Sequence, residues 1–218
     1  APLATSRVEY TRVGVVQIAC HPAAVLGRSA LEDPLFALDR TDSLTPDTVK
    51  AIGNRYLIIR SLAPEVYTSA DLLKKTADAV NDAAGKVKAH KMRVGYHNHT
   101  TDFNRIDGEY WWNRFADLTS KDVILQFDTG NASEMEGVTP QSFLTRNAGR
   151  TVTMHVKPFS KKDPNAYLGA DELDWPAILK AAEGTAGVEW YIIEYEKEGI
   201  PPLEALKANR ERFVKLRS

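Results

Sequence analysis

The stretch "VGYHNHTTDF", residues 94–103, decides how the rest of the chain is read. A short apolar run ends in two histidines separated by one asparagine. On an extended strand, residues two apart point to the same face, so His97 and His99 converge at one strand end with Asp102 just beyond. Imidazoles converging beside a carboxylate suit a metal ion or a polar ligand. Read as bare structure, the same stretch is a turn carrying two solvated rings.

Similar runs recur along the chain: "VGVVQIAC" (13–20), "RYLIIRS" (55–61), "DVILQFDTGN" (122–131), "RTVTMHVKP" (150–158) and "EWYIIEYE" (189–196). Between them lie segments with helical spacing. In 69–90 the apolar residues fall at 72, 73, 77, 80, 84 and 87, with Ser69 as N-cap. "DGEYWWNRFADL" and "TPQSFLTRNA" read as shorter helices. "DWPAILKAAEG" has Asp174 as N-cap, Pro176 in its first turn and Gly184 as its stop, and "PPLEALKANRERFVKLRS" closes the chain as a helix. Near-continuous apolar strands alternating with helices predict a parallel sheet buried on both faces. No repeat, low-complexity tract or linker interrupts the pattern, so residues 1–218 are expected to form a single α/β domain.

An open dinucleotide-binding sheet needs a Gly-rich turn after its first strand, and none follows any strand here. Polar chemistry follows instead: Cys20-His21, His97-Asn98-His99, Asp128, His155-Val156-Lys157 and Glu194. Of the 5 histidines, all but His90 stand at such ends. Active sites of parallel barrels are built from the C-terminal ends of several strands, which favours a TIM-barrel-like (β/α) fold.

Composition narrows the functions. At 218 residues and 43% hydrophobic the chain can bury a core, and a net charge of −1 gives no footprint for nucleic acid or an anionic membrane. The single Cys20 excludes a disulfide framework and a Cys-rich zinc site, and lies in an apolar run as a buried thiol. No apolar run is long enough to cross a bilayer. No signal peptide is visible, so a cytoplasmic location is expected, although "APLATS" is compatible with a cut end and an exported location stays open.

Asp128, His155 and Glu194 each end a separate strand, about one strand–helix unit apart. A barrel gathers such positions around one axial pocket. Two carboxylates, one or two imidazoles and no thiolate suit a divalent ion such as Mn²⁺, Mg²⁺, Co²⁺ or Zn²⁺. Structural duties compete for the same residues: Asp128 as cap of the helix begun by "DTGN", His155 as a core histidine, Glu194 as partner of Lys157 or Arg150.

The stretches "VGYHNHTTDF", "LQFDTGN", "MHVKP", "LDWPAILKAA" and "EWYIIEYE", in that order, resemble the sugar phosphate isomerase/epimerase superfamily of xylose isomerase-like TIM barrels, in its bacterial branch with a "YHNH" motif. The resemblance covers roughly residues 50–215. It implies one divalent metal at the C-terminal mouth of the barrel, held by Glu, Asp, His and Glu from strands five to eight. By position Asp128, His155 and Glu194 match the last three ligands. His97 stands where the fifth-strand Glu is expected. Either His97 is the fourth ligand, the reading favoured by its place on the strand, or Asp102 reaches back to replace the carboxylate.

The resemblance further implies proton abstraction beside a metal-bound carbonyl, with the ion as Lewis acid and Glu194 as base. The opposed group for an epimerisation would come from His97, His99 or Asp102. Lys157 and His21 would line the mouth and hold substrate, with Asn131 beside them. Apurinic endonucleases of the superfamily carry a metal-binding His where Asn131 stands, and a further Asp-x-His pair that this chain lacks, so DNA repair is not expected. The first clear strand, 13–20, resembles the family's third, and only about a dozen residues precede it where a strand–helix unit takes about 30. Six clear strands therefore predict a barrel shortened at its N-terminus, or one closing its edge in a homo-oligomer. The expected activity is a metal-dependent isomerase or epimerase of a sugar or polyol. A lyase or dehydratase on a keto-sugar and a non-catalytic sugar-binding barrel are the alternatives.

Overall fold

The computed structural model describes residues 16–18, 55–196 and 199–217. Six parallel strands form one sheet: β1 (Val16–Ile18), β2 (Tyr56–Ile59), β3 (Arg93–His97), β6 (Ile124–Asp128), β7 (Thr153–Val156) and β8 (Trp190–Ile193), hydrogen-bonded in that order. The expected strand 13–20 is described only over Val16–Ile18. Cys20 and His21 lie outside the described residues. A two-stranded hairpin, β4 (Arg105–Ile106) and β5 (Glu109–Tyr110), follows β3. Its turn is Asp107-Gly108, both at positive φ, the Asp-Gly pairing that suits a tight hairpin. The expected helix 107–118 is therefore shorter, beginning only after that hairpin.

The helices are α1 (Ala70–Lys88), α2 (Trp111–Leu118), α3 (Thr129–Ser133), α4 (Pro140–Arg146), α5 (Trp175–Ala181) and α6 (Pro202–Leu216). Ser69 caps α1 by accepting from the Leu72 N–H, and Asp174 caps α5 by accepting from the Ala177 N–H. The stop expected at Gly184 comes later. After α5 the chain runs through a wider turn over Ala182–Ala186, and Gly187, at φ 77°, ends it. Only a residue at ease in the left-handed region turns the chain there.

The two faces of the sheet have different cores. Outward residues Leu57, Val94, Tyr96, Leu125, Phe127, Met154 and Val156 pack against the helices in the main cluster. Inward residues Tyr56, Ile58, Ile124 and Val152 form a second cluster with Trp190. The Tyr56 hydroxyl donates to Glu189 at 2.8 Å. Since β2 and β8 are the second and last strands in the order, that bond requires a curled sheet, an incomplete barrel over the described residues. Tyr96 makes ring contacts with Trp111, Trp112 and Phe115 on the outer face. Alternation then turns its neighbours Gly95 and His97 inward. A Cβ on Gly95 would lie 2.6 Å from that of Ile124, so the space beneath His97 admits only glycine. Among the described residues no helix is long and apolar enough to cross a membrane.

Candidate metal centre

His97 and Asp128 are the last residues of β3 and β6, His155 is the penultimate residue of β7, and Glu194 follows β8 directly. Each offers one ligand atom, and these atoms lie within 4.8 Å of one another. His97, Asp128 and His155 are buried and Glu194 partly so. The sheet register makes this inevitable once the strands form: His97 pairs with Gln126, and Asp128 pairs with His155.

Hydrogen bonds orient the donors. His97 Nδ1 faces the Gln126 side-chain oxygen at 3.0 Å, and the Gln126 amide donates to Thr153 Oγ1 at 2.8 Å. Nδ1 of His97 thus carries the proton and Nε2 keeps its lone pair for a ligand. Asp128 divides its duties. Its Oδ1 accepts the Asn131 N–H at 2.8 Å, capping α3, while its Oδ2 is buried without a hydrogen-bond partner among the described residues. An orphaned carboxylate oxygen is costly, and one aimed at two imidazoles and a second carboxylate fits a divalent ion. The donors present therefore suit the metal implied by the sequence.

Asn98, the middle residue of "HNH", serves the scaffold. Its oxygen accepts the Asp128 N–H at 2.7 Å and its amide donates to the Asp128 carbonyl, tying the ends of β3 and β6 together. Asp102 is not in the cluster. It is fully buried, with one oxygen accepting the Tyr96 hydroxyl at 2.8 Å and the other the His99 N–H. Burial pushes its carboxyl up to about 8, against the pull of those two hydrogen bonds. His99 is near His97, ring centroids 5.0 Å apart.

Glu194 contacts His155 through one oxygen and Lys157 Nζ through the other, the latter at 2.9 Å. Lys157 also donates to Asn131 at 3.0 Å and Glu196 at 2.8 Å, so its three protons are committed. Glu194 has no bond to Arg150, which donates to Val123, Ala116 and Thr119 around the base of β6. Burial would raise the Glu194 carboxyl, but the bonds from His155 and Lys157 outweigh it and hold it well below the carboxylate range. Burial and the neighbouring His155 push His97 down to about 3. Burial, with the charges of Arg60 and Lys157, lowers His99. Asp128 moves the other way, raised by burial and by Glu194.

The cluster opens on a cavity of about 410 Å³. His97, His99 and Glu194 line it, with Asn131, Lys157, Glu196 and Arg60. Gln126, Asn98, Glu196 and Arg60 were not singled out from sequence. Gln126 was within reach, since it precedes Asp128 by two and shares its face, and Arg60 likewise continues the inward phase of Tyr56 and Ile58.

Comparison with known proteins agrees with this architecture. A sugar phosphate isomerase/epimerase from Parabacteroides distasonis is similar in structure, with TM-score 0.68 and 22% identity over 78% of this chain; the chain spans 62% of that protein's length. The IolI protein with a bound zinc atom gives TM-score 0.62 at 14% identity, covering 78% of this chain and 66% of its own. D-allulose 3-epimerase from Methylomonas sp., in complex with D-allulose, gives 0.59 at 15%, covering 85% and 71%. At these identities the likeness is one of fold. No curated protein matches the chain in sequence. The family model for the xylose isomerase-like TIM barrel matches residues 16–216, nearly the whole chain, and the protein belongs to that family.

Proposed function

We propose that the protein is a divalent-metal-dependent isomerase or epimerase of a sugar or sugar derivative, acting by removal of a proton from the carbon beside a carbonyl. The observation that carries this reading is the four-donor cluster at the strand ends, with the orphaned Asp128 Oδ2, opening on a cavity of ligand size. His97 through Nε2, Asp128 through Oδ2, His155 and Glu194 would hold the ion. When bound, the ion supplies Lewis acidity to a carbonyl oxygen. The zinc of IolI and the D-allulose of the Methylomonas epimerase, both on the same fold, support the assignment.

The protein's own groups do the rest. Glu194 is kept ionised by Lys157 and His155 and is the proton acceptor. Lys157 turns to a substrate hydroxyl as substrate enters, so Glu194 gains proton affinity when it is needed. Asn131 and Glu196 each accept a further proton of Lys157 and hold it in place. His99 lines the same cavity and is placed to return a proton from a second direction, which an epimerisation requires and an isomerisation on one face does not.

The test is solvent deuterium incorporation into a panel of ketoses, with metal content measured in the same samples. About one divalent ion per chain and exchange beside the carbonyl are expected. Glu194→Gln should lose roughly 10²–10⁴-fold in exchange rate, the usual cost of removing a positioned base, while retaining metal at weaker affinity. A metal-loaded Gln variant that exchanges at near the original rate would remove Glu194 from the role of base. Elimination of water in place of exchange would show a lyase.

A further inference from the structure

The charges lining the cavity are not balanced group by group. Lys157 is neutralised by Glu194 and Glu196 at 2.9 and 2.8 Å. Arg60 also lines the cavity, and among the described residues no hydrogen bond or ion pair engages its guanidinium. Its position is set by the sheet. Tyr56 and Ile58 face inward, and two residues on, Arg60 continues the same phase just beyond the end of β2. Ile59 is in register with Tyr96, which puts Arg60 level with His97 on the neighbouring strand. One inter-strand spacing, about 4.8 Å, separates its backbone from that of a metal-cluster residue.

An arginine is charged at every pH the fold meets and offers five donors in a planar fork. At the rim of a polar cavity such a group, with its donors uncommitted, matches an oxyanion that arrives with the ligand. We propose that Arg60 binds an anionic substituent, a carboxylate or a phosphate, carried by the substrate a few carbons from its carbonyl. The assignment rests on the isomerase or epimerase reading for the carbonyl end of that substrate, and adds its substrate class: acidic or phosphorylated sugars rather than neutral ones. The second cation of the cavity does not compete for this role, since Lys157 is already neutralised by Glu194 and Glu196 and, in the proposed reaction, gives only its Glu194 contact to a substrate hydroxyl.

The experiment uses the Mn²⁺-loaded protein and three probes matched in their carbonyl end: D-fructose, D-fructuronate and D-fructose 6-phosphate. Dissociation constants come from titration calorimetry, for wild type, Arg60→Gln and Arg60→Lys. In the wild type at least one anionic probe should bind on the order of tenfold to a hundredfold tighter than fructose, as a charge-assisted hydrogen bond gives. Which of the two leads identifies carboxylate or phosphate. Arg60→Gln should collapse that ratio towards one, and Arg60→Lys should restore part of it, because a point charge cannot reproduce the fork. Equal affinity for all three probes in the wild type, no binding of any, or an unchanged ratio in Arg60→Gln would overturn the proposal. Deuterium exchange in the same samples separates the two readings. Exchange of fructose without an anion preference keeps the activity and removes the Arg60 role. An Arg60-dependent preference without exchange of any probe does the reverse.

Discussion

Replacing Asp128 by Asn should act in opposite directions on the metal-free and metal-loaded protein. Asp128 is fully buried; Oδ1 caps α3 and Oδ2 has no partner. Burial and the charge of Glu194 disfavour its ionised form, so without a metal this carboxylate opposes folding at neutral pH. Asn keeps the shape and the capping oxygen and removes the charge. A buried charge left unpaired beside a second carboxylate costs about 1–3 kcal/mol or more, and Asn puts an uncharged donor in its place. Removing that cost should stabilise the EDTA-treated protein by a similar amount, roughly 2–12 °C in melting temperature at about 2–4 °C per kcal/mol for a chain of this size. Metal acts on the wild type by mass action, adding about 2.7 kcal/mol at a free concentration a hundred times the dissociation constant. The Asn variant lacks an anionic donor and should show little of that shift. Thermal unfolding followed by circular dichroism, in EDTA and in excess Mn²⁺, reads both effects. A variant that keeps the full metal-induced shift would refute the ligand assignment. One that melts below wild type in EDTA would refute the argument from buried charge.

Asp102→Asn should leave metal content unchanged, because both Asp102 oxygens are taken by Tyr96 and the His99 N–H, whereas His97→Ala should weaken metal binding; elemental analysis after dialysis distinguishes them. The Asp102 carboxyl sits at about 8 in the fold against an ordinary 3.8, so the folded state holds the extra proton between those values. Its stabilising contribution is full below the lower value and fades as pH rises through the upper one; denaturation midpoints across that window should slope downward in the wild type and flatten in the Asn variant. Gly130→Ala should destabilise by about 1–3 kcal/mol, since its Cβ would fall 2.6 Å from Lys157 Cγ and 3.0 Å from Lys157 Cβ. A denaturation midpoint equal to wild type would show that the Lys157 stem can move aside freely.

The parallel order of the strands and their polar C-terminal ends were legible in the sequence, because both rest on local pattern. Alternation of period two placed His97 and His99 together, and the helical spacing at 72, 73, 77, 80, 84 and 87 marked the face of α1 that buries Leu73, Ala77, Val80, Ala84 and Val87. What pattern could not reach was the partner of each side chain. Asp102 follows "HNH" closely enough to suggest the metal, yet the short helical turn at Thr100–Phe103 carries it down against Tyr96, away from the cluster. The turn at Asp107-Gly108 was a hairpin signal absorbed into a helix reading, because Tyr110, Trp111 and Trp112 look alike on both. The helical run begun by α5 passes Gly184 in the wider turn over Ala182–Ala186 and ends at Gly187, since either glycine satisfies the local rule. Arg60 carries no motif at all; its meaning comes from the register of β2 against β3.

The donor set also constrains how proton transfer is organised. The two carboxylates of the cluster would balance a dication, whereas the resemblance implies a third carboxylate where His97 stands. His97 is pushed down to about 3 by burial and by His155, so at neutral pH it presents a lone pair. It cannot then serve as a carboxylate base, and in the proposed mechanism the burden falls on Glu194. That group is a poor base while His155 contacts it and Lys157 donates to it. His155 is fixed in a strand at the cluster, and moving it would dismantle the donor set. Lys157 has two other acceptors, Asn131 and Glu196, and a long stem lying against Gly130. It can release Glu194 without leaving the site. Under the proposed mechanism the strength of the base is therefore tied to the position of one lysine, and the arrival of a substrate hydroxyl would be the event that moves it.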